Sequence, residues 1–280
     1  MREYRIPALT RKYTEYDMIQ AHTQLPANPD KRVQLLFTLL ESGDGAVRAE
    51  LYALAASLAQ IGLDTHDMVD NSLVSTEYAR SRQLKVLAGD YFNSRFYYLL
   101  AQAGDVDVVA RMARAICEVN RLKMNLYERL RLFRVTAEEY LEQTVSIKSE
   151  LFMSFSAFIP QRYAKWWPEL LWAAARCDVL REEMDRAPDE AARSGWGYLY
   201  IRQHASSDDA VHDGDTERFA KLSAAYGLKD KLARMLEEQV RYALECVRKF
   251  DSDALAADIK HMFESRQPGM AALAEAIEEV

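Results

Sequence analysis

The chain has 280 residues, 49% of them hydrophobic and 10% aromatic, which is enough apolar material for a sizeable core and too much for a disordered chain. Its net charge of -7, with a pI near 5.4, excludes a broadly basic nucleic-acid-binding surface. Cys117, Cys177 and Cys246 are isolated, the charged start "MREYRIPALTRKY" has no apolar signal region, and no apolar run approaches the ~20 residues of a membrane span, so a cytoplasmic protein with reduced thiols is expected.

Pro7, Pro26 and Pro29 lie near the start, and no proline follows until Pro160. Proline inside a helix costs about 3 kcal/mol, so the long interval reads as successive helices. Apolar residues recur there at three- and four-residue steps rather than alternating, which predicts helices over 31–41, 46–71, 76–103, 106–128 and 137–159. In "AGDVD", Gly104 supplies a helix stop and Asp105 the next N-cap, while Thr136 with Glu139 forms a capping box. Further helices are expected at 165–187, 216–226, 229–249 and 253–263, with a short one after Pro268. The stretch "SGWGYLYIRQHASSDDAVHDGD" reads as an irregular loop near 190–215. No β-alternation and no Gly-rich nucleotide loop appear. The expected architecture is all-α, a single large helical bundle over residues 1–280.

Two segments carry candidate chemistry. "GLDTHDMVDN" crowds Asp64, Asp67 and Asp70 around His66 at a predicted helix end, where acids oppose the helix dipole and need solvent or a cation nearby. Gly62 and Gly89 both fall inside predicted helices, so the two helices are expected to cross closely there. On the second helix Phe92, Phe96, Leu99 and Leu100 form an apolar face, with Tyr91, Arg95 and Tyr98 on another. That wall reads either as core or as the lining of a chain-binding cleft or subunit interface.

Together these segments resemble the trans-prenyl diphosphate synthases, in which H-D-D-x-x-D-N ends one helix and V-L-x-G-D-(Y/F) lies on the next. Here "THDMVDN" precedes "VLAGDYF", and "KSELF" at Lys148–Phe152 resembles the K-T-x-x-L-F segment. Thr65 stands at the family's His, His66 at the first Asp, Asp67 at the second, Asp70 at the last and Asn71 at the Asn. The resemblance spans roughly residues 31–186 and implies the isoprenoid synthase fold.

The departures point further. In those enzymes the first motif holds Mg²⁺, which demands hard oxygen ligands, and His66 removes one. "REEMD" places Arg181 where the second motif has a metal ligand, with Asp185 matching its last Asp. The Arg-rich segment after the first motif is reduced to Arg80 and Arg82 in "SLVSTEYARSRQ". "DKRVQ" echoes the grip on isopentenyl diphosphate, with Asp30 for Gly and Gln34 for the second Arg. "LDTHDMV" with "RQLKVLAGDYFNSRFYYLLA" closely resembles the small, non-catalytic subunits of bacterial two-component heptaprenyl diphosphate synthases.

That resemblance implies an accessory subunit with no catalytic residues and no metal or cofactor of its own. Its catalytic partner (component II) carries Mg²⁺. The complex would join farnesyl diphosphate to four isopentenyl diphosphates, giving the heptaprenyl diphosphate of the menaquinone side chain. His66, Asp67 and Asp70 are then a vestigial motif. Leu58, Ile61, Tyr91, Phe92 and Phe96 are the candidates for a hydrophobic tunnel or interface that helps set product length. Helices 76–103 and 106–128 are the expected contact surface, and self-association without the partner is left open. The alternatives are an autonomous prenyltransferase or terpene-type synthase with an altered motif, a small subunit of a hexaprenyl system, and a helical adaptor.

Overall fold

The computed structural model describes residues 2–16, 19, 25–43, 46–69, 76–205 and 214–265, the side chains of 76–79 excepted. Among them the chain is helical throughout, with no strand. Its helices are α1 (Ile6–Thr14), α2 (Asp30–Glu41), α3 (Ala46–Asp67), α4 (Thr76–Gln102), α5 (Val106–Arg131), α6 (Ala137–Met153), α7 (Trp167–Asp185), α8 (Pro188–Ala191), α9 (Trp196–His204), α10 (Thr216–Ala225), α11 (Leu228–Val247) and α12 (Asp253–Glu264). A 3₁₀ turn, Ser156–Phe158, sits between α6 and α7.

Two helices lie inside over most of their length. Every residue of α3 from Tyr52 to Leu63 is buried, and α7 buries Leu170, Leu171, Ala173–Ala175, Cys177, Val179 and Leu180. Around α3 pack α1, α2 and α4; around α7 pack α2, α6 and α11. The outer helix α5 is amphipathic and buries Val108, Met112, Ala115, Val119 and Leu126, one stripe at three- and four-residue steps.

The expected close crossing of α3 and α4 is present. A Cβ added to Gly62 would lie 2.7 Å from Asn93 Oδ1 and 3.2 Å from the Gly89 carbonyl oxygen. One added to Gly89 would lie 2.6 Å from His66 Nε2. Gly104 ends α4 at φ +74°, and the Thr136–Glu139 capping box is formed in both directions, at 3.1 and 2.9 Å.

The structure differs from expectation in several places. α3 ends at Asp67, with a turn at Met68. α6 ends at Met153, where the Ser154 and Ser156 hydroxyls donate to the Leu151 and Met153 carbonyls and Phe155 turns fully into the core. Asp105 does not cap α5 with its side chain; it pairs with Arg48 instead. α1 was not anticipated.

The segment read as a loop contains α9, with α8 just before it, and its residues 206–213 lie outside the described residues. Trp196, Tyr198, Leu199 and Ile201 of α9 are buried, and its first turn is held by Glu183 Oε2, which accepts the Trp196 N–H at 2.8 Å. Gly195, at φ +94°, and Gly197 obscured the helix in the sequence. The helix expected after Pro268 lies outside the described residues.

Candidate functional site

The C-terminal end of α3 brings Asp64, His66 and Asp67 beside α4 and α5. Each finds a partner within the chain. Gln60 Nε2 donates to Asp64 Oδ1 at 2.8 Å, one turn earlier on the same helix. His66 Nε2 lies 3.3 Å from Oδ1 of Asp90, the acidic residue of the GDYF segment. Lys123 on α5 donates to Asp67 Oδ2 at 2.5 Å, and Lys85 on α4 donates to the Met68 carbonyl at 3.3 Å. These cations answer the negative end of the helix. Burial pushes the Asp67 carboxyl upward, and Lys123 opposes that shift. Asp70 and Asn71 lie outside the described residues.

Facing this end across α2, α6 and α7 is a second polar group. Arg32, 3% exposed at its side chain, places Nε 3.1 Å from Asp178 Oδ2. Its Nη1 donates to the Lys148 carbonyl at 2.7 Å and to Gln60 Oε1 at 3.4 Å, and the guanidinium covers the Phe152 ring at 5.1 Å. Lys148 Nζ pairs with Glu182 at 2.8 Å. Arg181 reaches Asp178 only at 4.0 Å. Asp30 accepts the Tyr4 hydroxyl at 2.7 Å. Asp185 lines a cavity of about 750 Å³ with Arg181, Met184, Lys229 and Leu236.

Lys31 stands apart: it is 5% exposed, and among the described residues its ammonium has no hydrogen-bond partner. Burial, reinforced by Arg181, lowers its pKa. Between the lowered folded value and the ordinary 10.5, the unfolded chain binds the extra proton. Stability therefore rises with pH through that window, and below it the burial penalty is complete. Lys31→Met is expected to raise stability by about 1–2 kcal/mol near neutral pH by removing an unpaired buried charge. The gain over the parent should shrink as pH rises toward 10; thermal melts at several pH values check both the sign and the trend.

The resemblance implies Mg²⁺ between two Asp-rich segments, and the described donor set does not fit it. No three His, Cys, Asp or Glu side chains converge among the described residues. Where carboxylate oxygens would surround a metal, the chain places the Lys123 ammonium on Asp67, an imidazole on Asp90 and the Arg181 guanidinium in the second segment.

Leu58, Ile61, Phe92 and Phe96 are all buried in the main core, each at 2% exposure or less. Tyr91 is half-buried; its ring meets Tyr16 edge-on at 5.5 Å and its hydroxyl donates to the Tyr16 hydroxyl at 3.1 Å. Lys123, Lys85, Gln60 and Asp178 were not singled out from sequence. Asp178, one turn before Arg181, carried a readable signal; Lys123 lies 56 positions from Asp67 and carried none.

Residues 16–189 match the family model described as heptaprenyl diphosphate synthase (HEPPP synthase) subunit 1. The chain belongs to that family. Component 1 of heptaprenyl diphosphate synthase from Geobacillus stearothermophilus is 41% identical over 81 residues, 29% of this chain. That match spans 36% of the relative's own length. Solved structures share the fold of this subunit 1 family member. A geranylgeranyl pyrophosphate synthetase from Pyrococcus horikoshii superposes with a TM-score of 0.66 at 16% identity, covering 93% of this chain and 91% of that one. A decaprenyl diphosphate synthase from Rhodobacter capsulatus gives 0.65 at 14%, covering 92% and 93%. The all-α isoprenoid synthase fold is thereby shown for the subunit 1 chain.

Proposed function

We propose that the chain is the accessory subunit of a two-chain heptaprenyl diphosphate synthase and contributes structure rather than metal chemistry. The observation that supports this reading is that side-chain cations stand on these carboxylates, Lys123 on Asp67 and Arg181 4.0 Å from Asp178. The catalytic partner would hold Mg²⁺ and both substrates. Its reaction would extend farnesyl diphosphate by four isopentenyl units toward the menaquinone side chain, in the cytoplasm. Among the described residues no helix is long and apolar enough to cross a membrane.

A partner surface on α4 and α5 is supported by apolar side chains left open there: Leu87, Tyr98, Met124 and Tyr127 are each at least half exposed. Such a wall would help exclude water from the growing chain and limit its depth.

The test is a prenyltransferase assay with farnesyl diphosphate, labelled isopentenyl diphosphate and Mg²⁺, run on this chain, the catalytic subunit and their mixture. Turnover in the mixture alone, yielding one heptaprenyl product, is the expected result. Turnover by this chain alone would return the reading to an autonomous synthase, and a six-unit product to a hexaprenyl system.

A further inference from the structure

The turn between α5 and α6 is unlike the rest of the surface. Residues 131–134 are consecutively exposed, Leu132 at 52% and Phe133 at 55%. Among the described residues Phe133 is the one non-glycine with a positive φ, +53°; it closes α5 in a Schellman-type stop, the Phe133 N–H donating to the Leu130 carbonyl and the Arg134 N–H to the Arg129 carbonyl, each at 2.9 Å, and so turns its ring outward at the tip. The Arg202 guanidinium lies over its ring, 3.5 Å from the centroid, and fixes the ring at the tip.

Beside the tip is a cavity of about 440 Å³ lined by Asn125, Arg129, Arg134, Gln143 and Ser146, with Leu132 and the acidic Glu128 on its wall. The titratable groups around this end include the guanidinium groups of Arg129, Arg131, Arg134 and Arg202, the carboxylates of Glu128 and Glu139, Glu138, which pairs with Arg176, and His204. Arg129 is already paired with Glu139 at 2.9 Å. The tip is therefore locally basic on a chain whose net charge is -7.

The geometry points to a membrane-docking tip: Leu132 and Phe133 enter the interface of an anionic bilayer while Arg131, Arg134 and Arg202 face lipid phosphates, with the neighbouring cavity taking one headgroup. Two apolar side chains at a turn are too little for a protein interface, which buries about 800 Å² per partner. Shallow insertion backed by basic residues needs no more than this, each Arg near an anionic surface adding about 1 kcal/mol. The placement is coherent with the bundle. Lys123 lies at the acidic end of α3, and Arg131, eight residues further along α5, projects ~12 Å beyond it, so the tip stands at the same end of the molecule.

The inference concerns the chain by itself and does not depend on the proposed function. The experiment is flotation of the full chain with vesicles of phosphatidylglycerol and phosphatidylcholine in equal parts, and with phosphatidylcholine alone, at low and raised salt. Expected are salt-sensitive binding to the anionic vesicles, about fivefold weaker binding for Arg134→Gln, and about tenfold weaker binding for Phe133→Asn. Asn accepts a positive φ, so Phe133→Asn should melt no lower than the parent and still lose the vesicles. No binding to the anionic vesicles, equal binding to both kinds, or full binding by Phe133→Asn overturns the proposal. So does loss of vesicle binding when the catalytic subunit is added, which would make the tip a protein contact.

Discussion

Asp178→Ala should destabilise the chain by about 3 kcal/mol, at the low end of the range for breaking a buried ion pair. The substitution leaves the Arg32 guanidinium buried with its Lys148 carbonyl, Gln60 and Phe152 contacts but no carboxylate at Nε. For a chain of 280 residues the midpoint of thermal unfolding should fall by about 5 °C. The sharper test is the paired variant. Arg32→Met with Asp178→Leu removes both charges and keeps the volume filled, so it should recover most of the loss. A melt unchanged by Asp178→Ala would mean that Arg32 is held without its counter-charge, and that the polar group between α2, α6 and α7 has been misread.

Phe92→Ala should cost more, about 3–5 kcal/mol, because a fully buried aromatic leaves a cavity that the close α3–α4 crossing cannot collapse around. Denaturant unfolding of the isolated chain measures this. In the reconstituted complex the same variant separates two roles. Were Phe92 to limit the depth of the growing chain, product length would increase when the assay is run cold enough to keep the variant folded. A complex with reduced activity and the same product would leave Phe92 as core and remove it from the proposed chain-length wall. Ile61→Ala serves as the companion on α3, with the same two readouts.

The helices were legible because their signals are local. Proline spacing, the apolar stripe of α5, the capping box at Thr136 and the stop at Gly104 each act within one or two turns. The glycine crossing was legible for a related reason, since a glycine inside a helix asks for a close neighbour. What escaped the sequence depends on distant partners. α9 is secured by Glu183, thirteen residues before the Trp196 N–H it accepts, and its glycines argue locally for a loop. Lys123 reaches Asp67 through the packing of α5 beside α4, which no local pattern announces. Arg48 took Asp105 away from its expected capping role in the same way. His66 and Arg181 could be read in the sequence as departures from the synthase pattern, but their neighbours, and the Lys123 ammonium on Asp67, could be found only in three dimensions.

The glycine contact between α3 and α4 also has a mechanical consequence. With Gly62 and Gly89 backbones this close, and with Asn93 and His66 filling the remaining space, the two helices have almost no slack to slide or rotate past one another. A push on the outer face of α4 is therefore delivered at the acidic end of α3 as displacement rather than absorbed as local repacking. Docking at Tyr98 or Leu87 would be felt at His66 and Asp67 through a stiff strut two helices thick.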